Sequence, residues 1–189
     1  MNTTMQKPGV DPDPAAERGP WAPGSPRTIL IGIFVVQAFL SLRLYNSAYR
    51  DEALQLWVGH SELNTWFRNA TQMDDTVLAH FAGSPYVYPP YGALMDGIAG
   101  LSTARLFSTI LMVWATGFVY GTAKKFFHDP KIGLWAAGAF VTAQSTQFLG
   151  HFATFDPMAV FFLAAGLWLA VRDYGWVIAG PVGMLAVSA

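Results

Sequence analysis

Long apolar runs separated by short polar segments dominate the chain from residue 28 onward. Five of them approach the length that a helix needs to cross a hydrocarbon core of about 30 Å at about 1.5 Å per residue. The pattern therefore predicts an all-α protein, a polytopic transmembrane helix bundle. The predicted spans lie near residues 28–44, 104–123, 132–150, 157–171 and 174–189. We expect the fifth span to be truncated and the chain to be the N-terminal part of a longer protein.

The segment between the first two spans, residues 45–103, has a different pattern. Its stretch "DEALQLWVGHSELNTWF" places Leu54, Trp57 and Val58 at helical spacing, which is typical of an amphipathic helix lying in a membrane interface. The stretch "SPYVYPPYGALMDGIAGL" adds aromatic residues of the kind enriched at that level, with a rigid proline corner. We expect interfacial amphipathic helices in this long first loop.

The basic residues predict the orientation. Residues 1–27 are rich in proline, glycine and charge, which indicates a disordered tail, and they contain Lys7, Arg18 and Arg27. "KKFFHDPK" separates the second and third spans, whereas residues 45–103 hold two basic residues against six acidic ones. The positive-inside rule then puts the N-terminus in the cytoplasm and the long loop outside. The turn "HFATFD" between the third and fourth spans also faces outward. We expect an integral protein of the plasma (inner) membrane.

Composition narrows the class of protein. The 189 residues are 53% hydrophobic and 12% charged, whereas soluble domains carry about 25% charged residues. The net charge of −1 does not bear on nucleic-acid binding, and no basic cluster indicates it, so we expect no nucleic-acid partner. The chain has no cysteine, which excludes disulfides, thiolate chemistry and cysteine metal sites.

Three carboxylates lie at the predicted outer boundary. Asp51 and Glu52 follow the first span, and Asp156 is the only Asp, Glu, Lys or Arg between Lys131 and Arg172. Ionisable residues at the edge of a span are candidates for function. A structural alternative exists for each. Asp156 before a proline fits an N-cap, and Asp51 with Glu52 fits the solvated first turn of an interfacial helix.

Four short motifs follow in a fixed order: the acidic pair, a Y-x-Y-P-P-Y corner, "STARLFS" at the second span, and "FATFDP" before the fourth. In this order and on these sides, the chain resembles the N-terminal part of GT-C class membrane glycosyltransferases. Within that class it is similar to the branch of protein O-mannosyltransferases and aminoarabinose-type lipid A transferases. The resemblance covers residues 28 to 172.

The resemblance implies roles for individual residues. It makes Asp51 the catalytic aspartate of the first loop and Glu52, its common neighbour, a second catalytic candidate. Asp156 is the third catalytic candidate, as the acidic residue of the second outer loop that lines the site or holds a metal.

Relatives often carry a lysine before the proline pair, where Tyr88 stands here. Donor-phosphate binding would then fall to another group, such as Arg50, Arg105 or His80, or the donor would be bound in a different geometry. The substrate-binding candidates are Arg50, His80, Tyr88, Pro89, Pro90 and Arg105.

A divalent metal ion is a candidate cofactor, held by Asp156 with His151. The alternative for His151 is a hydrogen bond at the membrane interface.

The implied reaction moves a sugar from a polyprenyl-phosphate donor to an extracytoplasmic protein, lipid or polymer acceptor. A carboxylate accepts the acceptor's proton, and cationic groups offset the charge of the leaving phosphate. The competing class is a non-enzymatic polytopic protein, either a transporter half or an assembly subunit. That class should show charged residues near mid-membrane and broken helices there, whereas the charges here lie at the outer boundary.

The topology is testable because the chain has no native cysteine. Asp51→Cys and Asp156→Cys should react with an impermeant thiol reagent in intact cells, and Lys124→Cys should react only after lysis. Labelling of position 124 but not of position 51 in intact cells would overturn this orientation.

Overall fold

The computed structural model describes residues 21–42, 47–68, 87–172 and 175–188. Within these ranges the protein is entirely helical, with eight helices and no strand, which confirms the all-α prediction there. The helices are α1 (Pro26–Ser41), α2 (Arg50–Arg68), α3 (Tyr88–Ala99), α4 (Leu101–Phe127), α5 (Pro130–Thr142), α6 (Gln144–His151), α7 (Asp156–Ala170) and α8 (Trp176–Ser188).

Local capping explains where two of the apolar helices begin. Ser25 precedes α1, and its side chain accepts a hydrogen bond from the amide of Thr28. Asp129 precedes α5 and accepts a hydrogen bond from the amide of Lys131 at 2.7 Å. A proline follows each cap at the first helical position, where its missing N–H has no helical partner to lose.

Helix α4 is, within the described ranges, the one helix long and apolar enough to cross a membrane. Its 27 residues correspond to about 40 Å of helix. Helices α1 and α7 and residues 177–187 of α8 are apolar but shorter. The described part therefore supports one clear span, and the further spans of the predicted bundle stay predictions.

The third predicted span, residues 132–150, is not one continuous helix. Helix α5 ends at Thr142, Ala143 adopts an extended conformation, and α6 begins at Gln144. The side-chain amide of Gln147 donates to the carbonyl of Val141 beside the break. A polar side chain thus replaces a backbone donor, which stabilises the interruption.

Helix α4 packs against α1, α3, α5, α6 and α7 and so organises the described part of the fold. Hydrogen bonds from its buried hydroxyls attach its neighbours. Thr116 donates to the side-chain oxygen of Gln37 on α1 at 2.7 Å, and Thr109 donates to the carbonyl of Gly150 on α6 at 2.8 Å. Such bonds between helices are typical of apolar surroundings.

Helices α2 and α3 are held at the N-terminal end of α4. Only Gly100 separates α3 from α4, and its φ of 77° is a backbone conformation that favours glycine. Helix α2 approaches α3 so closely at Gly59 that a Cβ there would collide with the carbonyl of Pro89. The acidic helix α2 is thereby fixed beside the start of the clear span.

The face that α2 buries within the protein carries polar side chains. Val58 is buried and Trp57 is 55% exposed, and the inward positions include Glu52, Gln55 and Glu62. Glu52 faces inward because Arg105 of α4 binds it there. The placement of α2 in a membrane interface stays a prediction.

Candidate functional site

Glu52 and Arg105 form a buried ion pair at the junction of α2 and α4. The guanidinium binds with two donors: Nε contacts Oε1 at 2.9 Å and Nη2 contacts Oε2 at 2.7 Å. The Glu52 side chain is 0% exposed and that of Arg105 is 1% exposed. Arg105 Nη2 also donates to the carbonyl of Ser47 at 3.1 Å, just before α2. Two parallel charge-assisted bonds fix the geometry as well as the distance of the pair.

Glu52 also binds two backbone amides. The amide of Tyr49 donates to Oε2 at 2.9 Å, so Glu52 closes the first turn of its own helix, as the glutamate of a capping box does. The amide of Ala153 donates to Oε1 at 2.8 Å. Ala153 precedes Asp156 by three residues, so this single carboxylate ties the first acidic segment to the second.

These contacts decide the protonation state of Glu52. Burial raises its pKa, but the hydrogen bonds from Arg105, Ala153 and Tyr49 together outweigh that effect, and the resulting pKa is below the usual value. Glu52 therefore stays ionised with its acceptor sites occupied. That arrangement suits positioning better than proton transfer.

Asp51 and Arg50 are both exposed in the same first turn of α2. Successive helical residues point about 100° apart, so a buried Glu52 leaves its neighbour Asp51 facing outward. An exposed carboxylate and an exposed guanidinium thus stand beside the buried ion pair. The catalytic role of Asp51 and the substrate-binding role of Arg50 stay predictions.

Asp156 is half-buried and is the first residue of α7. The preceding position, Phe155, has a helical backbone and caps no amide with its side chain. The predicted N-cap role of Asp156 is therefore not observed. Its Oδ2 accepts a hydrogen bond from the hydroxyl of Thr154 at 3.1 Å, and the predicted catalytic role is not tested by this contact.

The proline corner opens α3 and is buried. Tyr88, Pro89 and Pro90 are all buried, and the Tyr88 hydroxyl lies 3.5 Å from that of Ser108 on α4. Burial raises the pKa of Tyr88, the Ser108 contact lowers it by less, and the charges of Glu52 and Asp156 raise it further. Tyr88 therefore stays a neutral phenol, buried beside Ser108 of α4.

The histidine candidates do not assemble a metal centre in the described residues. His151 Nδ1 lies 3.1 Å from the carbonyl oxygen of Ser41 at the end of α1. This contact fits the alternative for His151, a hydrogen bond in place of a metal. No group of three or more His, Asp or Glu side chains suited to a metal occurs within the described ranges. A metal held by His151 and Asp156 stays a prediction, and His80 lies outside the described residues.

Two features were missed from the sequence. His60 Nε2 lies 2.9 Å from Asp96 Oδ2, joining α2 to α3. Glu62 is buried on α2, and neither of its oxygens has a hydrogen-bond partner among the residues that the structure describes. Glu62 lies seven residues after Gln55, which puts both on one helical face, and this spacing was the available signal.

A comparison with known families supports a membrane mannosyltransferase. Residues 93–179 match a family model described as dolichyl-phosphate-mannose-protein mannosyltransferase. The match covers fewer than half of the 189 residues and includes Arg105, His151 and Asp156, but neither Asp51 nor Glu52. It supports a glycosyltransferase of the GT-C mannosyltransferase kind without identifying the branch. No curated protein and no solved structure matches the chain.

The buried carboxyl of Glu62 should make stability depend on pH. Burial raises its pKa from 4.5 to about 7. Between these values the unfolded chain releases the proton and the folded chain keeps it, so stability falls as pH rises through that window. Glu62→Gln removes this loss and should be more stable than the wild type by about 2–3 kcal/mol above pH 7.

The measurement is the thermal midpoint of the purified protein from pH 4 to pH 8. Ser61→Ala is the matched control, because it changes the neighbouring residue without altering an ionisable group. A difference between Glu62→Gln and the wild type that stays constant over this range would contradict the assignment.

Proposed function

We propose that this chain forms part of a polytopic membrane mannosyltransferase of the inner membrane. It transfers mannose from a polyprenyl-phosphate donor to a hydroxyl of an extracytoplasmic protein. The family match over residues 93–179 supports the class of enzyme. The observation that carries the site is the set of bonds made by Glu52, because they join the segment of Asp51 to the loop before Asp156.

Asp51 acts as the general base in this proposal. The acceptor oxygen attacks the anomeric carbon, and its proton passes to the Asp51 carboxylate. The bond between the anomeric carbon and the phosphate oxygen breaks, and the polyprenyl phosphate leaves with the electron pair. The support is the exposure of Asp51 beside a fixed first turn, which lets an acceptor reach it.

Arg50 faces the leaving phosphate. Of the cations considered for that role, Arg105 is buried and bonded to Glu52, whereas Arg50 is exposed in the same turn as Asp51. A guanidinium there offsets the charge that develops on the phosphate. Asp156 orients the acceptor or the donor from the start of α7.

Glu52 and Arg105 act as positioning residues. Their side chains are buried and bonded to each other, so they hold the first turn of α2 and the loop at Ala153 without touching substrate. This role replaces the direct catalytic and substrate-binding roles predicted for them from the resemblance.

The proposed topology has α1, the joined α5 and α6, α7 and α8 crossing the membrane with α4. The N-terminus and the residues between α4 and α5 face the cytoplasm. The basic side chains of Lys124 and Lys125 at the end of α4 support this orientation. Helices α2 and α3 then lie at the outer interface.

The alternative, a transporter half, is favoured by one observation. The break at Ala143 interrupts a predicted span, as broken helices do in transporters. Near the middle of α4, however, buried Thr116 donates a hydrogen bond to buried Gln37 of α1, and both side chains are neutral. Helix packing therefore explains the break at Ala143 as well as a transport site would.

Two substitutions test the proposed chemistry in the full-length protein. Asp51→Asn should lower transfer by about 10²–10⁴-fold, because a general base contributes that much. Asp156→Asn should lower transfer by about 10-fold or more, equivalent to about 1.4 kcal/mol of transition-state stabilisation. The assay is transfer of radiolabelled mannose from a polyprenyl-phosphate donor in membranes, at matched expression.

Asp129→Asn is the matched control, because asparagine caps helices about as well as aspartate and Asp129 lies on the predicted cytoplasmic side. It should keep normal transfer. Near-normal transfer by Asp51→Asn would show that Asp51 is not the general base.

A further inference from the structure

A groove of about 440 Å³ lies between the second half of α2 and the second half of α3. Its apolar wall includes Leu63 and Phe67 of α2 and Leu94 and Ile98 of α3. Among the described residues that line it, the charged or ionisable ones are His60 and Arg68, and His60 is bonded to the carboxylate of Asp96. The groove is thus amphipathic, and Arg68 supplies the cation of its described lining.

The position of the groove relative to α4 sets its depth in a membrane. Ile98 lies three residues before Leu101, where the clear span begins, and only Gly100 separates the two helices. Three residues correspond to about 5 Å of helix. The far end of the groove therefore lies within about one helical turn of the start of the span, at the level of the lipid headgroups.

Exposed apolar side chains around the groove fit that level. Phe67 is 79% exposed, Ile98 is 70% exposed, and Trp66 beside them is 52% exposed. A cluster of large exposed apolar side chains marks a membrane or partner interface. Tryptophan is enriched where one side of a ring meets hydrocarbon and the other meets water.

The polar lining selects the charge of the occupant. Arg68 is exposed at the end of α2, and its guanidinium is suited to phosphate. Asp96 holds His60 through Nε2 at 2.9 Å, so the imidazole is fixed at the groove wall. Asn64 adds an uncharged amide between these two basic residues along the helix.

We propose that this groove binds an anionic phospholipid of the surrounding bilayer. The phosphate headgroup contacts Arg68, and the acyl chains run along Phe67 and Ile98 toward the hydrocarbon. The site is separate from the exposed first turn of α2 that carries Asp51. The inference rests on the membrane position of α4 and not on the transfer reaction, so it survives if the enzyme proposal fails.

The test uses the full chain, purified in neutral detergent and stripped of lipid. Phosphatidylglycerol is titrated while the thermal midpoint is recorded, because a ligand that binds the folded state raises it. Phosphatidylglycerol should raise the midpoint and phosphatidylcholine should raise it less. Arg68→Gln should weaken the apparent affinity for phosphatidylglycerol about fivefold, as expected for loss of one cation near a lipid surface.

Two variants control for folding and for general charge. Arg68→Lys keeps a cation and should retain more of the affinity than Arg68→Gln. Lys131→Gln removes one exposed charge at α5, away from the groove, and should leave the titration unchanged. An unchanged titration for Arg68→Gln, or an equal effect of the two phospholipids, would overturn the proposal. Stabilisation by a polyprenyl phosphate but not by phosphatidylglycerol would also overturn it.

Discussion

The buried ion pair of Glu52 and Arg105 is the interaction on which the arrangement of the candidate site depends. One carboxylate accepts bonds from the guanidinium of α4, from the amide of Ala153 before α7, and from the amide of Tyr49 at its own helix start. Three parts of the chain distant in sequence thereby meet at one point. Burying two charges is costly, and only such complete bonding offsets the loss of water.

This constraint separates two adjacent acidic residues by role. The Glu52 side chain faces the interior and is bonded to Arg105. Because successive helical residues point in different directions, Asp51 is exposed at a position that Glu52 fixes. Glu52 holds this turn in place, and in the proposed reaction Asp51 accepts the proton. Glu62, farther along the inner face of α2, meets no such partner among the described residues, and burial alone raises the pKa of its carboxyl. Burial raises the pKa of both glutamates, and the pKa of Glu52 falls below its usual value only because hydrogen bonds to its carboxylate outweigh that effect.

Sequence patterns predicted the helical class and the segment of the clear span, because apolar runs determine both. They did not predict the break at Ala143, which depends on the amide of Gln147 reaching the carbonyl of Val141. They singled out Glu52 and Arg105 but not their pairing, which joins residues 53 positions apart. Such a contact follows from packing and leaves no periodic signal. Likewise, the proline that follows Asp156 indicated an N-cap role for this aspartate, and the helix instead begins at Asp156 itself.

The central claim is that Glu52 and Arg105 act as one unit, and a double-mutant cycle tests it most directly. The unfolding free energies of Glu52→Gln, Arg105→Gln and the double variant are compared with that of the wild type. Each single change should cost about 3–5 kcal/mol, because it leaves a buried charge without its partner. The double variant should cost less than the sum of the two by at least about 1 kcal/mol. Additive losses would contradict the account, because they would mean that the two side chains stabilise the fold independently.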